Sequence, residues 1–160
     1  MPRVVLFQPQ IPPNTGNVAR TCAATGSELH LVEPLGFEIS DRTLKRAGLD
    51  YWPWVPLHRH ASWEAFLTQQ RRQGGRLLAL SRHASQSYLA CPFRQDDWLL
   101  FGRETDGLPP EALEACDGRL TIPMPCSSDR PEGGVRSLNL SVSVGIVLFE
   151  ALRQLGQLSP

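Results

Sequence analysis

Three short stretches carry residue types that could do chemistry. FGRETDGLPP (Phe101–Pro110) halts an apolar run at Gly102, crowds Arg103, Glu104 and Asp106 into a bend, and turns again at Gly107 before a proline pair. Such a bend suits either a surface turn or the floor of a small-molecule pocket, because glycine permits close approach and dihedrals closed to other residues. RSLN (Arg136–Asn139) places donors and acceptors directly before a long apolar segment. A helix start leaves N–H groups unpaired, so Ser137 or Asn139 caps that helix, or the helix mouth also holds a carboxylate or an RNA phosphate. NTGNVAR (Asn14–Arg20) ends on an arginine. At about 100° per helical residue, Val18, Ala19, Cys22 and Ala23 fall on one side and Asn17, Arg20 and Thr21 on the other. Arg20 is then a solvated surface residue or one aimed at a phosphate or a developing negative charge, which its forked donors suit.

Several other chemistries are excluded. No GxGxxG follows the first apolar run and no GxxxxGK[ST] occurs, which argues against a dinucleotide fingerprint and a P-loop. GxSxG is absent, and the histidines, scattered singly, offer no triad. Cys22, Cys91, Cys116 and Cys126 lack paired spacing, so neither a zinc site nor a disulfide framework is expected. Nothing near Met1 resembles a signal peptide and no apolar run is long enough for a bilayer. A reducing cytoplasm is the expected compartment, with no membrane and no metal. Sixteen basic residues, of which only Lys45 is lysine, balance sixteen acidic ones. Any nucleic-acid partner therefore needs a local basic patch.

These stretches need elements to hold them. The 160 residues, 41% hydrophobic and 20% charged, are expected to form a single domain over 1–160. Strands are predicted at Arg3–Phe7, in LHLVEP after Glu28, in RLLALS (Arg76–Ser81), in DWLLFG (Asp97–Gly102) and in RLTIPM (Arg119–Met124). Helices are predicted from an Asn14 or Thr15 cap through Ala24, from Ser40 to Gly48, from Ser62 to the Gly74–Gly75 pair, in PPEALEAC, and from Leu140 onward. Strands alternating with helices imply an α/β chain with a mostly parallel sheet and helices on both faces. Ligands of such sheets bind where the loops converge at the carboxyl ends of the strands, and all three stretches sit after strands. The last helix is apolar nearly all round; it is either central in the monomer or covers the sheet and packs against a second subunit.

In this order, NTGNVAR, FGRETDGLP and IPM…RSLNLSVSVGIVLFEALRQ (Ile122–Gln154) resemble the three motifs of the SPOUT RNA 2'-O-methyltransferases. EPLGF at Glu33 and RAGLDYW at Arg46 are similar to the small tRNA (cytidine/uridine-34)-2'-O-methyltransferases of the TrmL type. The resemblance runs from about Val4 to Gly156. It implies a deep C-terminal trefoil knot, a homodimer, S-adenosyl-L-methionine as cofactor, and methylation of the ribose 2'-hydroxyl of the wobble nucleotide (C34/U34) in the anticodon loop of leucine tRNAs. Its alternatives are a different RNA position, or an RNA-binding module of this fold without turnover. By motif match the cofactor meets Leu80, Gly102, Ile122, Met124 and Ser137, the catalytic arginine is Arg20, and Asn14, Glu104 and Asn139 support the geometry.

Two departures from the family pattern stand out. Arg103 and Asp106 occupy positions where many relatives carry a proline and an arginine, and PCSSDRPEGGV (Pro125–Val135) is longer than usual. Arg42, Lys45 and Arg46, then Arg71 and Arg72, are the best local basic clusters for RNA.

Overall fold

Continuous apolar runs become strands buried on both faces, since alternate side chains leave a pleated strand in opposite directions. The structure, a computed structural model, describes residues 1–40, 42, 51–125 and 135–158. Its strands are β1 (Arg3–Phe7), β2 (Leu29–Val32), β3 (Leu57–His60), β4 (Leu77–Leu80), β5 (Gln86–Ser87), β6 (Trp98–Phe101) and β7 (Gly118–Thr121). They form one sheet in the order β3-β2-β1-β6-β4-β7-β5, and every strand pairing is parallel. The helices are α1 (Pro12–Thr25), α2 (Trp63–Gln73), α3 (Pro110–Glu114) and α4 (Leu140–Gln154).

The two faces carry separate cores. Val4, Leu6, Leu29, Leu31, Leu99 and Phe101 pack with Val18 and Cys22 of α1 and Val144, Val147 and Leu148 of α4. Val5, Phe7, Leu77, Trp98 and Leu100 pack with Trp63 and Phe66 of α2 and Ala112 of α3. Each fully buried leucine or phenylalanine contributes on the order of 1.5–3 kcal/mol of transfer free energy. α4 also packs on α1, yet it leaves Val142 and Phe149 50% and 46% exposed. Of the two placements the apolar pattern allowed, this helix covers the sheet and keeps a second apolar strip outward. Among the described residues no helix is long and apolar enough to cross a membrane.

Four details differ from the sequence expectation. α1 starts at Pro12 with Ile11 as its cap residue, so Asn14 and Thr15 lie inside its first turn and are buried. Tandem prolines pre-set the helical φ and need no N–H partner, and the cap comes from elsewhere in the chain. LHRH forms β3, which no apolar alternation announces, and β5 is only two residues long. β7 ends at Thr121, so Ile122 and Met124 lie beyond it. The helix expected from Ser40 lies almost wholly outside the described residues, as do Lys45, Arg46 and most of the 125–135 loop.

Candidate active site

β1 and β6 are parallel neighbours, so the loops leaving their carboxyl ends lie side by side. Polar contacts lace those loops together. The Gln10 and Ile11 backbone N–H groups donate to the two carboxylate oxygens of Glu104 at 2.9 and 3.0 Å. Thr105 Oγ1 donates to Gln10 Oε1 at 2.8 Å, and Arg103 Nη1 donates to Gln8 Oε1 at 2.7 Å. Glu104 thus supplies the anionic cap that the first turn of α1 lacks locally.

The same chain of contacts continues into the last helix. Asn14 Nδ2 donates to Glu104 Oε1 at 3.4 Å, and Asn139 Nδ2 donates to Asn14 Oδ1 at 2.9 Å. Asn139 Oδ1 in turn caps α4 by accepting from the Ser141 N–H at 2.9 Å. One polar chain therefore joins the three motifs, and between Asn139 and Ser137 it is Asn139 that caps α4.

Glycine at 102 is a packing requirement. A Cβ there would lie 2.4 Å from the carbonyl carbon of Gly107 and 2.5 Å from the Leu108 nitrogen. The bend closes because Arg103 and Gly107 exchange both backbone hydrogen bonds, at 3.2 and 3.0 Å, while Gly107 takes a φ of 71°. Arg103 grips Asp106 through two bonds, 2.6 and 2.8 Å, and its guanidinium holds the Asp106 carboxyl below the usual carboxylate range. The two departures at 103 and 106 thus neutralise one another.

Above these strand ends opens a cavity of about 550 Å³. Leu80 from the end of β4, Gly102 from the end of β6, Ile122 and Met124 from beyond β7, and Ser137 before α4 all line it. Asn14, Glu104 and Asn139 reach its wall, as do Arg82 and Arg136. The volume lies within the ordinary range of small-molecule sites, which is roughly 300–1,000 Å³. Apolar faces from Leu80, Ile122 and Leu140 beside polar Ser137 and arginine cations suit a ligand with a flat aromatic part and a charged tail.

Arg20 does not line this cavity. It stands on the exposed side of α1, where Nη2 donates to Tyr51 Oη at 2.7 Å and the guanidinium carbon lies 4.6 Å from the centre of the Tyr51 ring. Arg42, Arg71 and Arg72 are exposed as well.

Three of the four histidines, expected to be isolated, gather at the β2–β3 edge away from the cavity lining, while His83 lines the cavity. His30 Nε2 lies 3.1 Å from Glu28 Oε2, and His30 Nδ1 lies 2.9 Å from His60 Nε2. Burial pushes His30 down to about 4 and lowers His60 also. A neutral relay satisfies every atom named: His60 donates to His30, which donates to Glu28. Glu28, His30 and His58 bring their donor atoms within 4.8 Å of one another. The His30 and His58 rings, however, stack at 4.5 Å with only 12° between planes, so their in-plane lone pairs do not converge. Arg3 Nε also stands 3.4 Å from the same Glu28 oxygen. The cluster is a hydrogen-bond network more than a ligand set.

Comparison with known proteins agrees with this architecture. The model of the SpoU rRNA methylase family matches residues 1–149. A Synechocystis relative is 56% identical over 158 residues, covering 99% of both chains, and carries the name tRNA (cytidine(34)-2'-O)-methyltransferase provisionally. A solved structure concerned with 2-OH methylation of C/U34 on tRNA superposes with a TM-score of 0.87 at 52% identity, covering 98% of this chain and 97% of that one. An AdoMet-bound rRNA methyltransferase from Sinorhizobium meliloti gives 0.83 at 32% identity, covering 99% of this chain and 57% of the other. The chain belongs to the SpoU methylase family.

Proposed function

We propose that this SpoU-family chain is an S-adenosylmethionine-dependent methyltransferase acting on the ribose 2'-hydroxyl of nucleotide 34, C or U, in tRNA, with leucine tRNAs as the substrates. The observation that carries the reading is one cavity lined by four strand-end segments, with Glu104, Asn14 and Asn139 tying its walls together. Relatives described as acting on C34 or C/U34 over nearly the whole chain support the substrate position.

The residues present fit the cofactor. Gly102 lets the Gly107–Leu108 backbone close against the end of β6, which leaves main-chain groups rather than side chains on the cavity floor. Leu80, Ile122 and Met124 would hold the adenosine part, and Ser137, with Arg82 and Arg136 nearby, the charged tail. Bound there, S-adenosylmethionine supplies a methyl group already activated on sulfonium, so the protein need only align the acceptor and manage one proton. A nucleotide in an unpaired loop can be turned outward to present its ribose.

Arg20 then orients the ribose or its phosphate and stabilises the developing alkoxide. Its guanidinium stays protonated, so the departing proton goes to solvent or to a neighbouring phosphate oxygen. Since Arg20 does not line the cavity of its own chain, the acceptor is proposed to bind between that cavity and an exposed α1 face in a homodimer. The outward strip of α4, Val142 and Phe149, gives a second copy an apolar surface to cover. A trefoil knot between Ile122 and α4 belongs to the same proposal.

The test has two stages. Calorimetry with S-adenosylmethionine comes first; no binding removes the enzyme reading. Turnover on leucine-tRNA anticodon stem-loops, followed by nucleoside mass spectrometry, comes second. A methyl group found anywhere but the ribose of nucleotide 34 removes the substrate assignment.

A further inference from the structure

Tyr51 belongs to the segment before β3, while Arg20 is 31 residues earlier on α1. Nevertheless two independent contacts join them. The phenol oxygen accepts from Arg20 Nη2 at 2.7 Å, and the guanidinium lies over the ring at 4.6 Å from its centre. An exposed arginine sacrifices much rotamer freedom when it is held, so a surface pair of this kind adds little to folding. It does fix where a cation points.

Tyr51 is itself anchored. Its ring packs partly buried against the core on the α1–α4 side of the sheet. Its carbonyl accepts from the Trp54 N–H at 2.8 Å, closing a 3₁₀ turn, Trp52–Trp54, stiffened by Pro53. The hydrogen bond takes one of the five guanidinium N–H groups, leaving the rest of the fork for an acceptor. A phenylalanine would offer the same face without fixing how the fork turns upon it. The hydroxyl is therefore the element that selects one orientation.

We propose that Tyr51 is a positioning residue: it holds Arg20 in the one orientation from which the guanidinium meets the acceptor nucleotide. The proposal rests on the reading of Arg20 as the catalytic arginine. Pre-set geometry matters because catalysis gains only from donors already aimed where charge develops. Tyr51 would thus alter the rate of the bound complex more than its formation.

The experiment is a double-mutant cycle on the full chain, using a position-34 stem-loop RNA and S-adenosylmethionine under single-turnover conditions. Tyr51→Phe is expected to lower the saturating rate about tenfold, leaving the melting temperature and the affinity for S-adenosylmethionine unchanged. Tyr51→Leu, which also loses the cation–π face, is expected to lower it further. In an Arg20→Ala background, Tyr51→Phe should have no further effect on the residual rate, because both act through one guanidinium. A full-rate Tyr51→Phe beside an Arg20→Ala reduced to a small residual rate overturns the positioning role and leaves the Arg20 reading standing. An active Arg20→Ala overturns that reading itself. An equal rate loss from Tyr51→Phe in both backgrounds means that Tyr51 touches the RNA directly, and a lowered melting temperature means that its role is structural; either result overturns the proposal.

Discussion

Replacing Glu104 with glutamine changes no volume, yet it tests the polar chain that links the motifs. The carboxylate accepts from two backbone N–H groups, of Gln10 at 2.9 Å and Ile11 at 3.0 Å, and from Asn14 Nδ2 at 3.4 Å. A glutamine amide has one oxygen. Set toward Ile11 and Asn14, it keeps those two bonds and turns an NH₂ group onto the Gln10 N–H. The loss is one charge-assisted bond and one stranded donor, about 1.5–3 kcal/mol for a partly buried site. Because the stranded Gln10 N–H is only part-buried and water can reach it, the lower half of this range, about 2 kcal/mol, is expected. For a domain of this size, each kcal/mol moves the melting midpoint by about 2–4 °C, so Glu104→Gln should melt roughly 4–8 °C lower. The same contact fixes a cavity wall, so affinity for S-adenosylmethionine should fall about tenfold, the equivalent of 1.4 kcal/mol. Thermal melts and calorimetry on the purified variant read both. A variant that melts with wild type and binds the cofactor equally well would show that Glu104 neither caps α1 nor holds the wall.

Arg20→Ala should cut methylation to a small residual rate while leaving cofactor affinity within a few fold, as measured by stem-loop turnover and calorimetry, because the arginine stands outside the cavity. Gly102→Ala should abolish cofactor binding, since its methyl would sit 2.4 Å from backbone. Gly107→Ala meets nothing within 4 Å but must hold a φ of 71°, so it should cost only about 1 kcal/mol and keep measurable affinity. Acid should destabilise the chain through His30, whose folded value of about 4 lies below the ordinary 6.5 because it is buried. The unfolded chain then binds that proton first: stability is complete above about pH 6.5 and falls as pH drops toward 4. Between pH 7.5 and 5 the loss should be ~2 kcal/mol, read as a lower urea midpoint, and a flat midpoint over that range contradicts it.

The strands that read clearly were those whose burial shows as uninterrupted apolar residues, such as Leu77–Leu80 and Trp98–Phe101. β3 escaped because its sequence, LHRH, is mostly polar; His30 and His60 enter the interior by satisfying each other, a pairing across 30 residues that no local pattern announces. The start of α1 was misplaced for a related reason. Asn14 and Thr15 have the chemistry of cap residues, but the anion serving the helix is Glu104, some 90 residues away. Within the site, glycines and polar residues after strands marked Gly102, Ser137 and Asn139, because strand ends in parallel sheets converge. The partner of Arg20 carried no such mark, since an aromatic before β3 looks like ordinary core until the fold brings it beside α1.

The thread from Glu104 through Asn14 to Asn139 ties a residue of the first helix to one near the end of the chain. A ribosome therefore finishes all seven described strands before the site is complete, and the closing wall arrives only with the segment that leads into α4. A nascent chain that has not yet reached Asn139 lacks the residue that closes this thread, so that side of the cavity is the last to be tied down.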